Sequence, residues 1–118
     1  CNPVRARRVL DEINSPNLRI ILDPVNLLEI YNYEKQDEIL DEAVELLGKD
    51  VAVLHVKDFQ IKDGKLVSVP VGQGMCHWER VIPYMKKEKP FMHATLENTS
   101  PDNAVAALEH IREVYRNS

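Results

Sequence analysis

Val51-Ala52-Val53-Leu54-His55-Val56-Lys57-Asp58 is the stretch on which the fold of this chain turns. A run as apolar as Val51 to Val56 reads as a strand buried on both faces, the habit of parallel strands in α/β proteins. His55 stands at its C-terminal end with Lys57 and Asp58 directly after it, where such folds carry their chemistry. Two other short apolar runs end in the same way. Leu18 to Leu22 stops at Asp23, and Phe91 to Leu96 stops at Glu97. One ionisable residue per strand end makes Asp23, His55 and Glu97 a candidate cluster.

Outward from these runs the chain alternates. A first helix is expected from Pro3 to Ile13, with Asn2 as cap and Pro3 at its first position. Its apolar stripe would be Val4, Val9, Leu10 and Ile13, with Arg5, Arg7 and Arg8 outside. Ser15-Pro16-Asn17 should break it, and Asp23-Pro24 should end the first strand. Residues 24–34 read as a loop rich enough in apolar and aromatic residues to pack over something. A second helix follows from Gln36 to Leu47, its inner side Ile39, Leu40, Ala43, Val44 and Leu47, with Gly48 as a C′ residue.

Beyond Asp58, two extended pieces flank Asp63-Gly64, a strong hairpin signal. After Gly72-Gln73-Gly74, a plain turn, comes a helix from His77 to Lys87 that Pro83 should kink. A last helix is expected to run from a cap and proline at Asn98–Asp102 to Tyr115, with Ala104, Val105, Leu108 and Ile111 inside. The order α-βα-β(hairpin)α-βα implies a parallel sheet with right-handed crossovers in a single unit. Asp23, His55 and Glu97 stand 32 and 42 positions apart, about one βα unit each, the longer interval holding the hairpin.

Composition narrows the function classes. The 118 residues are 44% hydrophobic and 29% charged, the balance of a globular domain. No apolar run approaches the ~20 residues that span a bilayer, and no signal-peptide pattern opens the chain. A formal net charge of −4 argues against nucleic acid and anionic membranes as partners. Cys1 and Cys76 form no metal-binding pair and no disulfide framework, which points to a reducing, cytoplasmic setting. The opening Cys1-Asn2-Pro3 carries no initiator methionine, so a cut or boundary within a longer chain is expected there.

In a (β/α)8 barrel the C-terminal ends of neighbouring strands converge on one mouth. Two carboxylates and an imidazole there would suit Mn²⁺, Mg²⁺, Co²⁺ or Zn²⁺. Period-2 alternation would turn Ile21, Val53 and Thr95 inward with the three residues, and would also bring Arg19 and His93 inside, an uncomfortable consequence. Against this stands a blander possibility for each residue alone: a capping acid, a hydrogen-bonded core histidine. His77, Trp78 and His93 read as structural, and Cys76 as a small buried hydrophobe.

The ordered set Ile21-Leu22-Asp23-Pro24-Val25-Asn26-Leu27-Leu28, Leu54-His55-Val56-Lys57-Asp58, Gly72-Gln73-Gly74 and Leu96-Glu97-Asn98 resembles the C-terminal part of the sugar phosphate isomerase/epimerase family, the xylose isomerase-like TIM barrels. The resemblance implies a partial (β/α)8 barrel: the sixth, seventh and eighth strands, flanking helices and an inserted hairpin. It implies one divalent metal, manganese first, with Asp23, His55 and Glu97 as three of four ligands. The fourth, a glutamate on the fifth strand, would precede Cys1. Glu97 would also be the catalytic acid/base, moving a proton beside the carbonyl of a sugar or sugar phosphate. Asn26 stands where many relatives carry a histidine. With Lys57 and Asp58 it is a candidate substrate-binding residue. A polyol dehydratase or an abasic-DNA nuclease of the same fold are alternatives, the nuclease disfavoured by too few histidines and the acidic balance. The isolated chain is expected to be inactive, to bind metal weakly, and to form a homo-oligomer through exposed sheet edges.

Overall fold

The computed structural model describes residues 3–118, so the expected Asn2 cap lies outside the described residues. The elements are α1 (Pro3–Ile13), β1 (Ile20–Leu22), α2 (Gln36–Leu47), β2 (Val51–Val56), β3 (Asp58–Lys62), β4 (Lys65–Val69), α3 (Ile82–Glu88), β5 (His93–Leu96) and α4 (Ala104–Arg116). β2 is central in a parallel sheet of order β1-β2-β5, and β3 and β4 form a separate antiparallel hairpin. Asp63 and Gly64 make its two-residue turn with φ of 51° and 72°, as that turn type requires.

β1 and β5 are shorter than their apolar runs. Ile20 pairs with Val51, the first residue of β2, so Leu18 and Arg19 have no strand residue opposite. At the other edge, Lys89 Nζ donates to the Val51 carbonyl, and Phe91, 95% exposed, lies outside the ladder. Ile20 opposes Val51 but Ile21 opposes Val53, so the ladder slips a residue at Ala52, and Val51 and Leu54 are both buried.

The two faces of the sheet differ. Leu22, Leu54 and Val56 lie in one core with Leu40 and Ala43 of α2, Ile82 and Met85 of α3, Trp78, and Ala107 of α4. Each such buried side chain contributes about 2 kcal/mol, enough to pin the register against a one-residue slip. On the other face Ile21 is 62% exposed, His93 and Thr95 are exposed, and Val53 is half-buried. β2 is therefore covered on its helix side only, not on both, because three strands cannot curl round to supply an opposite wall. Arg19 and His93 meet solvent instead of a barrel interior.

The helices correct several details. α1 buries Pro3 and Leu10, while Val4, Val9 and Ile13 are 46–56% exposed. Arg7 turns inward, pairing with Asp50 and donating to the Leu46 carbonyl at 3.1 Å. The helix stops at Asn14, which takes φ 48° and donates to the Leu10 carbonyl at 2.8 Å, before Pro16 is reached. Gly48 is right-handed at φ −49°; its use is the room it leaves, since a Cβ there would meet Tyr84 Cε1 at 2.6 Å. Pro83 stands in the first turn of α3 instead of kinking a longer helix, after a separate 3₁₀ turn at Trp78–Arg80. α4 starts at Ala104, later than the Pro101 signal, and buries Ala107 while Val105 and Leu108 are exposed. The 24–34 segment does pack. Val25 and Leu28 enclose Phe59, with Tyr33 edge-on to its ring at 6.1 Å, although Tyr31 stays 83% exposed.

Candidate metal centre

Each strand delivers one side chain to the same end of the sheet. Asp23 follows β1 and caps the turn Pro24–Leu27, its backbone extended and its carboxylate accepting from the Asn26 amide at 3.2 Å. His55 is the penultimate residue of β2 and pairs in register with Thr95 of β5. Glu97 follows β5, its amide donating to the Val56 carbonyl at 2.8 Å. Asn98 then turns the chain away with φ 58°, a left-handed conformation that asparagine tolerates. Parallel, in-register strands of unequal sequence spacing thus bring the three residues together, with one ligand atom from each lying within 4.8 Å of the others.

Inside the cluster, His55 Nδ1 lies 2.9 Å from Glu97 Oε1. Lys57 reaches in from the strand end, its Nζ 3.0 Å from Asp23 Oδ2 and 3.5 Å from Glu97 Oε2. It also donates to Asn26 Oδ1 at 3.0 Å. The Asp23 and Lys57 side chains are 9% and 10% exposed, those of His55 and Glu97 29% each. Buried charges of this kind persist only when paired, and here one ammonium serves two carboxylates. Asn26 and Lys57 are therefore brought to Asp23, His55 and Glu97.

Asp58 is not brought there. It is 1% exposed, and both of its oxygens are committed to backbone amides. Oδ1 accepts from Phe59 at 3.0 Å and Cys76 at 2.7 Å, and Oδ2 from Gly72 at 3.0 Å. Gly74 lies so close that a Cβ would stand 2.2 Å from the Phe59 carbonyl oxygen. Gly74 thus admits the chain's own backbone, while Gly72, at φ 95°, leaves room for the His110 side chain, 2.9 Å from where its Cβ would stand. Gln36 clasps the same segment, donating to the Met75 carbonyl and accepting from the His77 amide, each at 2.9 Å. Trp78 Nε1 donates to the Lys57 carbonyl at 2.8 Å. Asp58, Gln36 and Trp78 together hold the backbone from which Lys57 projects.

Sequence reasoning missed Gln36 and the knot around Asp58, since these link a carboxamide and a carboxylate to amides far along the chain. The close pair Gly72 and Gly74 was the one signal of it. Cys76 lies beside the knot, where burial first, and then Asp58, Glu79 and Asp23, push its thiol far up. A thiol so placed is not a nucleophile. His77 sits on the surface, its Nδ1 2.6 Å from Asp37 Oδ1, and Arg80 joins Asp37 and Asp41 at 3.2 Å each. A groove of about 750 Å³ between α1, α2 and the 24–35 segment touches Asn26 but none of the three donors. Among the described residues no helix is long and apolar enough to cross a membrane.

Residues 1–114 match the family of xylose isomerase-like TIM barrels. The match takes in nearly all of the sequence, and the chain belongs to this family, which includes sugar isomerases and epimerases. No individual curated protein and no solved structure gives a significant match.

Proposed function

We propose that Asp23, His55 and Glu97 hold one divalent cation, with manganese the first choice. In this reading the chain is the C-terminal portion of a barrel that isomerises or epimerises a sugar or sugar phosphate. The observation that carries it is the convergence of three ligand atoms, from the ends of three consecutive parallel strands, within 4.8 Å in a chain of this family. The donor set fits such an ion. Two oxygens and one imidazole nitrogen are hard to borderline ligands. The 2.9 Å between His55 Nδ1 and Glu97 Oε1 is also near the roughly 3 Å that separates adjacent ligands around an ion held at about 2.1 Å.

When bound, the ion would supply Lewis-acid polarisation of the substrate's oxygens. The chain's own residues would do the rest. Glu97, partly open to solvent, takes the proton from the carbon beside the carbonyl and returns it on the same face to the neighbouring carbon for isomerisation; epimerisation needs a second acid on the opposite face of the substrate to return a proton there. Asn26 and the Lys57 ammonium hold substrate oxygens, the asparagine by hydrogen bonding alone because its amide transfers no proton. Asp23, the least exposed donor after Lys57's approach, orients and does not react.

Three donors on an open sheet face are poorly preorganised, so binding by this chain is expected to be weak. Titration with Mn²⁺ into the millimolar range, followed by the electron paramagnetic resonance of the free ion, tests the reading. The wild-type chain should bind one ion and the Glu97→Gln variant none. Equal behaviour of the two would falsify the three-donor site.

A further inference from the structure

We infer that the Lys57 ammonium is the resident counter-cation of this cluster and competes with the divalent ion for Asp23 and Glu97; the inference rests on the metal reading above. Nζ stands 3.0 Å from Asp23 Oδ2 and 3.5 Å from Glu97 Oε2, on the two carboxylates the ion needs. It also donates to the Asn26 oxygen at 3.0 Å. With its side chain 10% exposed, the ammonium is compensated by these groups and little by water.

An ion bound to the same carboxylates would stand a few ångströms from the ammonium. That is well inside the Debye length of about 8 Å, so salt does not remove the repulsion. The two cations therefore exclude each other at these oxygens. The Lys57 backbone stays fixed while this happens, since Trp78 holds its carbonyl at 2.8 Å and Asp58 knots the residues that follow. Displacement is a rotation of the four-carbon side chain about a held anchor. Ion loading then frees a cationic donor beside the site at the moment a substrate oxygen needs one, so metal binding and substrate binding are coupled through one residue.

The test compares wild type with Lys57→Met and Lys57→Arg, using Mn²⁺ alone as the probe. Electron paramagnetic resonance measures affinity, and the melting temperature with and without Mn²⁺ is a second readout. Removing the charge in Lys57→Met should tighten Mn²⁺ binding about tenfold or more, the scale expected for a unit charge at this range. Lys57→Arg, which keeps the charge, should not tighten it. Mn²⁺ should also raise the melting temperature of Lys57→Met by more than that of wild type, because only the variant starts with two uncompensated carboxylates. Equal or weaker binding by Lys57→Met, or tightening by Lys57→Arg, overturns the competition while leaving the three-donor site standing. Binding by neither wild type nor Lys57→Met overturns both. If Lys57→Met does not fold, Lys57→Gln, which still donates a hydrogen bond, takes its place with the same expected tightening.

Discussion

Asp58 and Glu97 are both acids just beyond the end of a strand, yet the fold uses them in opposite ways. Three backbone amides surround the Asp58 carboxylate. They are fixed in place by the hairpin and the 72–76 segment, so the group is spent on structure. Among the described residues the Glu97 carboxylate pairs only with His55 and Lys57, two side chains that can rotate away. Burial separates them as well, Asp58 at 1% exposure and the Glu97 side chain at 29%. A carboxylate saturated by main chain is a strut. One balanced by movable ionisable groups is free to change partners, which is what ligand binding requires.

The difference has a measurable size. Asp58→Ala should cost about 3 kcal/mol or more in urea unfolding, since three amides lose a charged acceptor at about 1 kcal/mol or more each. Glu97→Gln, at a half-open ion pair, should change stability by less than about 1 kcal/mol. If the Glu97 variant proved the less stable of the two, the division into strut and site would be wrong.

Gly74→Ala probes the same knot without removing the carboxylate. Its Cβ would lie 2.2 Å from the Phe59 carbonyl oxygen and 2.7 Å from Asp58 Oδ1, so the segment must shift. A loss of about 2 kcal/mol is expected, typical of forcing atoms into a packed site. An unchanged midpoint would mean that the knot yields easily and does not fix Lys57.

The smallest effect belongs to the exposed acid Asp37. Its carboxyl is held below the ordinary value of 3.8, chiefly by the hydrogen bond with His77 and further by Arg80. A native value below the unfolded one means the contribution is complete above the ordinary carboxylate range. It is lost as the pH falls through the lowered native value. Asp37→Asn should therefore lower stability slightly at neutral pH, and its difference from wild type should disappear as the pH falls through that lowered value. A large loss at neutral pH would place this surface cluster among the structural knots.

Much of this was legible in residue order. β2, α2 and the Asp63-Gly64 turn fall where periodicity and turn chemistry put them. Those signals are local: a period of 3.6, a period of 2, a residue able to take positive φ. Where a boundary depends on a partner, sequence misplaces it. β1 begins at Ile20 because its neighbour begins at Val51, and Phe91 is apolar yet exposed because nothing pairs beside it. Pro83 reads as a kink in a longer helix until the separate turn before it is known.

The same line divides the candidate site. Residue order alone was enough to single out Asp23, His55 and Glu97, because each closes an apolar run and strand ends in a parallel sheet share one side. The roles of Lys57 and Asp58, adjacent and both charged, depended on tertiary structure. Lys57 reaches across to the carboxylates of two other strands, while Asp58 turns back into amides up to 18 residues away. Neighbours in sequence at a strand end project to opposite sides, and what each side meets is set by packing between distant segments.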